Sequence, residues 1–361
     1  MLPHLIFQGS PYAQGLAHGE SLKSSIKHNI EVYLDRFTLE AGMKKNELYD
    51  NAKTYSAVLN KQNSNYLDGM KGISRGSGID FIQIAMLNLR YELLYHALGK
   101  RYLDQTIDGC TSFAIMPEAN KTEHVIIGQN WDWIPDIECV LVTSINKNGI
   151  NNISFTEAGI FAGKPGMNSK GIGLTVNGMY SIEDDWSRLY KPFHIRCYEV
   201  LQSSNLEMAL GVLNNTYRSC TSNFIIGEAN KGAVNIELAP KKHRIISPNN
   251  GIITHANHFQ NPDEIDVKEP PNPRRYLSEF RQKQMQCLLE KEKPLTLSNI
   301  QSIMQNHKNK PQSLCRHRDA TLPESQHTIT KTAMIMNLDT KEMYVTNGNP
   351  CTSTFEQFTL Q

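Results

Sequence analysis

Cys110 stands behind Gly109 and ahead of a hydroxyl pair, in the stretch Ile107-Asp108-Gly109-Cys110-Thr111-Ser112-Phe113. A thiol is most often a small apolar filler of a core, but this one follows a residue with no Cβ. The Gly109 carbonyl is open to close approach, and its backbone can hold conformations closed to other residues. Attack by the Cys110 thiolate on that carbonyl shifts the acyl group from N to S. Hydrolysis of the thioester then leaves Gly109 as a carboxylate and Cys110 as a new N-terminus. The freed α-amine has a reference pKa of roughly 7.7 to 8.0. It shares a residue with the sulfur, so near neutral pH it can take the thiol proton directly or through water, and no separate histidine is needed.

Other chemistry-bearing groups make weaker cases. Gly72-Ile73-Ser74-Arg75-Gly76 has the Gly-x-Ser-x-Gly form of a nucleophile elbow, yet the preceding NYLDGMK is no buried strand and a further glycine turn follows. His255 with His258, and Cys315 with His317, are metal-ligating types. No Cys-x-x-Cys, His-Glu-x-x-His or second pair at finger spacing accompanies them, so no metal is expected. The glycines from Gly163 to Gly178 match neither phosphate-binding form, because Ile172 follows Gly171 where a lysine is required. They read as turns and close strand packing. His255 or His258 also stands as an alternative base for Cys110 in an uncut chain.

The bulk properties narrow the partner. The chain has 361 residues, enough for a large packed core, and 37 Lys plus Arg against 36 Asp plus Glu give a net charge of +1. That balance marks neither a nucleic-acid binder nor an anionic-membrane binder, and points to a small-molecule partner. Seven cysteines without a repeated spacing fit reduced thiols and a cytoplasmic location. The opening MLPHLIFQGSPYAQ has no basic leader with an apolar run, no stretch is long and apolar enough to span a membrane, and the C-terminal FTLQ is not a peroxisomal signal. Sequons at Asn152 and Asn214 would matter only outside the cytosol.

Around Cys110 the pattern changes period. Ile26, Ile30, Tyr33, Leu34 and Phe37 recur at three- and four-residue steps within an expected helix from Gly19 to about Leu39. Helical spacing continues from about Lys45 to Lys61, and Asp80 can cap a well-buried helix to about Leu98, where Gly99 can stop it. After Cys110 come short runs rich in β-branched residues: TSFAIM, HVIIGQN, CVLVTSI, NISFTEA and GIGLTVN. Helix is expected from about Pro192 to Asn214, followed by strands at SNFIIGEA, GAVNIEL and IITHA. A Pro-rich loop at 260–275 leads to a helix ending near Glu290, and TITKTAMIMNL and EMYVTNG read as late strands. The class is α+β in layers, with a helical N-terminal segment.

These residues also carry a resemblance. Cys110-Thr111-Ser112 followed by Gly128-Gln129-Asn130-Trp131-Asp132 resembles the acyl-coenzyme A:6-aminopenicillanic acid acyltransferase family of N-terminal-nucleophile hydrolases. GSPYAQGLAHGE, EAGIFAGKPGMNSKGIGLTVNGM, THANHF, CRHRD and NGNPC are similar to further family segments in the same order. The resemblance implies a four-layer αββα sandwich and a precursor cut between Gly109 and Cys110. The single domain of 1–361 would then comprise a mainly helical small fragment, 1–109, and a strand-rich large fragment, 110–361. It implies amide cleavage or acyl transfer through a Cys110 thioester. By motif position, Asp132 and Arg316 match residues of processing or catalysis, and Asn257 matches the oxyanion-hole amide. The chemistry agrees: an amide N–H aimed at a developing oxyanion lowers a barrier by about 3 kcal/mol, and a guanidinium can hold a carboxylate.

Family members act in penicillin side-chain exchange and in removal of β-alanine from amines, so a small N-acyl or β-alanyl amine is the expected substrate. No metal or organic cofactor is expected; a coenzyme A thioester would enter as an acyl donor if transfer dominates. The alternatives are a coenzyme A-dependent N-acyltransferase and a non-catalytic small-molecule binding module with an inert Cys110.

Overall fold

The computed structural model describes residues 2–100, 109–147 and 149–361; Ile107 and Asp108 lie outside them. An eight-stranded sheet runs in the order β1 (His4–Gly9), β4 (Cys139–Asn146), β5 (Asn152–Glu157), β6 (Gly166–Asn168), β7 (Ile172–Gly178), β8 (Ser222–Glu228), β9 (Gly232–Leu238) and β10 (His243–Ile246). A six-stranded sheet runs β11 (Ile252–His255), β2 (Thr111–Ile115), β3 (Ile126–Trp133), β12 (Ile329–Asn337), β13 (Glu342–Val345) and β14 (Glu356–Thr359). Among the described residues, these strands pair antiparallel except β1 with β4.

The sequence forces this stacking because the central strands are apolar on both faces. In β2 and just beyond it, Ala114 and Met116 join the large core with Ile172, Leu174 and Ile226 of the other sheet. Phe113 and Ile115 point the opposite way, into a second core with Met285 and Leu289. Alternate side chains of one strand thus need a layer on each side. The second core is closed by α9 (Arg275–Lys291) and α10 (Leu297–Met304). The outer side of the eight-stranded sheet is covered by α1 (Pro11–Ser21), α2 (Lys23–Arg36), α3 (Lys45–Ser56), α4 (Leu59–Gln62), α5 (Ser64–Ser77), α6 (Phe81–Lys100), α7 (Phe193–Val200) and α8 (Leu206–Asn214). The layers are helix, sheet, sheet, helix, as expected.

Several boundaries differ from the sequence reading. The periodic run from Gly19 is split at Leu22 between α1 and α2, the run from Lys45 breaks between α3 and α4, and 192–214 divides into α7 and α8. Gly99 does not stop α6, which continues to Lys100. The N-terminal segment also contains β1, whose exposed Ile6 and half-exposed Leu5 hide the strand signal. Among the described residues, no helix is long and apolar enough to cross a membrane.

The elbow-like Gly72–Gly76 stretch is a helix contact. A Cβ on Gly15 or Gly19 of α1 would overlap the backbone of α5, and one on Gly72 or Gly76 of α5 would overlap the backbone of α1. The two helices therefore touch backbone to backbone, and Ser74 Oγ donates to the Ile79 carbonyl at 2.7 Å. In an open helix, replacing Gly with Ala stabilises by about 1 kcal/mol. Here the added methyl must push α1 aside, so Gly72→Ala should destabilise by about 1–3 kcal/mol. Urea unfolding decides it, and a variant as stable as wild type would contradict the contact.

Candidate active site

Gly109 and Cys110 lead into β2, the second strand of the six-stranded sheet, with Cys110 buried. The β2–β3 register pairs Thr111 with Asn130, and extending it brings Asp132 level with Gly109. Cys110 Sγ lies 3.7 Å from the Asp132 carbonyl oxygen. A Cβ on Gly109 would overlap Arg316 Nη1 and come within 2.8 Å of Asp132 Oδ2. Two buried ionisable groups thus crowd the residue before the thiol, and only glycine leaves them room.

Thr330 fixes both groups. Its hydroxyl donates to Asp132 Oδ1 at 2.7 Å and accepts the Arg316 backbone N–H at 2.8 Å, while its own N–H donates to the Arg316 carbonyl at 3.0 Å. A register shift between Thr330 and Thr332 marks a bulge where β12 passes Asp132; bulges re-aim side chains in this way. The rest of the GQNWD segment alternates in role as a strand should. Gln129 bonds Val176 of the facing sheet through both N–H and C=O groups. Asn130 Nδ2 donates to the Met304 and Leu314 carbonyls at 3.0 and 2.8 Å, tying down the start and the middle of the loop that carries Arg316.

Cys110 faces a small cavity of about 20 Å³, room for one water, walled by Arg90, Tyr95, Trp131, Trp133, Lys164 and Phe193 among others. Behind the wall lies a buried charge cluster. Glu157 accepts from Tyr33 Oη, from Arg90 Nε at 3.0 Å and Nη2, and from Lys164 Nζ. Arg90 lies over the Trp133 ring at 4.9 Å and Lys164 over Trp131 at 4.8 Å. Burial by itself would raise the Glu157 carboxyl, but the Arg90 and Lys164 charges overcome it and hold the group at about 2. Burial, with the Arg90 charge beside it, lowers the Lys164 ammonium, and Glu157 opposes that shift. Two cations against one carboxylate leave the cavity wall net positive when Lys164 is charged.

Asn257 is placed one step away. Its Nδ2 donates at 3.0 Å to the carbonyl of Gly178, a residue of the Cys110 cavity, and its Oδ1 accepts from Arg281 Nη2 at 2.9 Å. It also lines a separate cavity of about 400 Å³ with Tyr180, His258 and Glu269. No histidine lines the Cys110 cavity among the described residues. His255 is tied to Glu237 Oε1 and the Ala256 carbonyl, both at 2.8 Å. His258 bonds Ser278 Oγ at 2.7 Å, and burial, then the His255 charge, push it down to about 2. This geometry gives no support to a histidine base for Cys110.

Sequence reading brings out Gly109, Cys110, Asp132 and Arg316, which the fold draws together, and Asn257, which it leaves at one carbonyl's remove. It misses Thr330, Asn130, Arg90, Glu157 and Lys164. A signal for Thr330 exists, since hydroxyls alternate at Thr328, Thr330 and Thr332, all buried in or beside β12.

The family model for acyl-coenzyme A:6-aminopenicillanic acid acyl-transferase matches residues 118–351, a span that starts downstream of Cys110 and contains Asp132, Asn257 and Arg316. The 40 kDa form of acyl-coenzyme A:6-aminopenicillanic-acid-acyltransferase from Emericella nidulans is 28% identical over 260 residues, covering 71% of this chain and 69% of that protein. Among solved structures, the Caenorhabditis elegans N-acylethanolamine-hydrolyzing acid amidase ortholog is 13% identical with a TM-score of 0.49, over 70% of this chain and 100% of its own. Penicillin V acylase from Agrobacterium tumefaciens is 14% identical with a TM-score of 0.47, over 70% of this chain and 86% of its own.

Glu157→Gln leaves Arg90 and Lys164 buried without their counter-charge, and should cost about 3–5 kcal/mol. The Glu157 carboxyl is lower in the fold than its ordinary 4.5, so its contribution is full above about 4.5 and is lost as pH falls toward 2. Denaturant unfolding from pH 6 to 2.5 should therefore show a smaller acid-side loss in Glu157→Gln than in wild type. Equal slopes would remove the ion cluster as a source of stability.

Proposed function

The chain belongs to the acyl-coenzyme A:6-aminopenicillanic acid acyl-transferase family and is an enzyme that acts on amides; from that premise we propose that it cuts its own backbone before Cys110 and then uses Cys110 as an N-terminal nucleophile. The observation that carries this reading is the crowding of Gly109 by Arg316 and Asp132 at the entry to β2. In the first step the Cys110 sulfur adds to the Gly109 carbonyl, the C–N bond breaks, and the nitrogen takes a proton. Water then hydrolyses the thioester, breaking its C–S bond to give the Gly109 carboxylate and the free Cys110 thiol beside the amine already released. In this reading Arg316 holds that carbonyl and Asp132 orients the nitrogen, roles supported by their closeness to Gly109.

In turnover the amine accepts the thiol proton, and the sulfur adds to the substrate carbonyl. An oxyanion develops before the amine portion leaves with a proton returned from Cys110. Asn257 Nδ2 supplies one oxyanion donor and a backbone N–H another, the positive wall of Arg90 and Lys164 favouring negative charge. For this, Asn257 Nδ2 must exchange its bond to the Gly178 carbonyl for one to the oxyanion. Water clears the thioester in hydrolysis; a second amine clears it in transfer. Hydrolysis is the favoured outcome, since water needs no site of its own. The substrate class is a small N-acyl or β-alanyl amine, with an acyl-coenzyme A donor as the transferase alternative suggested by the name of the Emericella nidulans relative. All seven cysteines are free thiols, which supports a cytoplasmic setting.

The two fragments should remain docked. Strand β1 pairs along β4 from His4↔Leu141 to Gly9↔Asn146, Asn29 Nδ2 donates to the Glu138 and Ala158 carbonyls, and Arg90 reaches Glu157. Each of these contacts crosses the proposed cut, so a native mass reads one species and a denaturing mass reads two.

Denaturing mass spectrometry of the wild type should give fragments 1–109 and 110–361, and Cys110→Ala should stay whole. Gly109→Ala, whose methyl displaces Arg316, should process at least about tenfold more slowly. The processed enzyme should release amine from N-acyl or β-alanyl amines. Adding a second amine should raise product transfer only if the transferase alternative holds. A wild-type chain that is active while uncut would overturn the reading, as would a Cys110→Ala chain that is still cut at the same bond.

A further inference from the structure

We propose that His307, Cys315, His317 and Cys351 bind a zinc ion with four protein ligands, a structural site outside the Cys110 cavity. Sequence spacing offers only the Cys315-x-His317 pair. Folding adds His307, from the turn after α10, and Cys351, from the β13–β14 connection. The four ligand atoms lie within 4.8 Å of one another.

The separations are those of a coordination shell. His317 Nε2 is 3.5 Å from Cys315 Sγ, 3.5 Å from Cys351 Sγ and 3.0 Å from His307 Nε2. Zinc bonds of about 2.3 Å to sulfur and about 2.0 Å to nitrogen put tetrahedral sulfur–nitrogen pairs roughly 3.5 Å apart and nitrogen–nitrogen pairs roughly 3.3 Å apart. Hydrogen bonding is a poor alternative. Three groups converge on the single His317 Nε2, which has either one proton to give or one lone pair to accept with. A dication at the centre uses a lone pair from each of the four at once.

The surroundings suit thiolate ligands. Asn349 Nδ2 stands 3.6 Å from Cys315 Sγ as a donor and also donates to the Arg316 carbonyl at 2.6 Å. Such outer hydrogen bonds orient metal-bound sulfur. Binding is proton exchange with no redox step: two thiols give up two protons and two thiolates neutralise the dication. A two-sulfur, two-nitrogen tetrahedral set selects zinc over hard cations. Half-exposed His317 and exposed His307 leave an entry path from solvent.

The placement has a structural consequence. Arg316 lies between two ligands in the chain, and the ion would tie its loop to the β13–β14 connection. Arg316 is thereby held by the ion as well as by Thr330.

The full-length chain, purified reduced and incubated with Zn²⁺ alone, should retain about one ion per chain after gel filtration, by elemental mass spectrometry. Cobalt substitution should give a thiolate charge-transfer band and tetrahedral d–d bands. Cys351→Ser and the surface change His307→Ala should weaken retention roughly tenfold or more. Zinc should raise the unfolding temperature of wild type more than that of His307→Ala, a readout that does not depend on the chain being cut or active. The proposal fails if reduced wild type retains no zinc, or if both variants retain as much as wild type. It also fails if cobalt binds without a thiolate band.

Discussion

One hydroxyl group organises the centre of this molecule. Asp132 and Arg316 are both buried, and a buried charge is tolerable only where polar partners stand in for water. Thr330 offers one proton and two lone pairs. It gives the proton to Asp132 Oδ1 and takes the Arg316 N–H, so the two groups cannot shift independently. Glycine at 109 follows from that arrangement, because the space a side chain would fill already belongs to Arg316 and Asp132. The order of strands follows as well: β3 carries Asp132, β12 carries Thr330, and the two must be neighbours.

A second constraint binds the helical layer to the sheets. Arg90 comes from α6, Glu157 from the end of β5, and Lys164 from the turn that follows, so the cluster is assembled across elements far apart in the chain. Removing water from these groups is costly, and the aromatic faces of Tyr33, Trp131 and Trp133 with the shared Glu157 carboxylate recover part of it. The result is a cavity wall facing Cys110 that is net positive when Lys164 is charged. The cluster also makes the N-terminal segment a component of the site rather than a detachable leader.

What could be read from sequence and what could not divide along physical lines. The strands around Cys110 were legible because both their faces are buried, so FAIM at β2 and VII at β3 stand out as short apolar runs. Strand β1 was not, since HLIFQG lies on a sheet edge with Ile6 exposed and imitates an ordinary terminus. Helices α1 and α5 were obscured by the glycines that let them touch, because the residues that weaken a helix by propensity are the ones that permit its contact. In the site, Cys110 and Gly109 could be found by chemistry and Asp132, Asn257 and Arg316 only by resemblance. Glu157 and Lys164 were unreadable, as nothing local says that a Glu and a Lys seven residues apart will be buried against an Arg on α6. Cys351 had no partner in sequence for the same reason: its neighbours are supplied by tertiary folding.

The position of Arg316 outside any strand or helix explains why so many polar groups converge on the segment from Asn306 to Thr330. Ordering backbone costs about 1–2 kcal/mol per residue, and a guanidinium packed against Gly109 keeps its place only if its loop is held still. A strand would supply that order through its ladder. The loop has no ladder and is fixed by other means. Asn130 holds the Leu314 carbonyl, Cys315 N–H bonds the Asn306 carbonyl, His317 N–H bonds that of Pro311, and Thr330 and Asn349 share the backbone of Arg316 itself. These anchors fix the backbone on both sides of Arg316, so its buried guanidinium stays against Gly109 and Asp132.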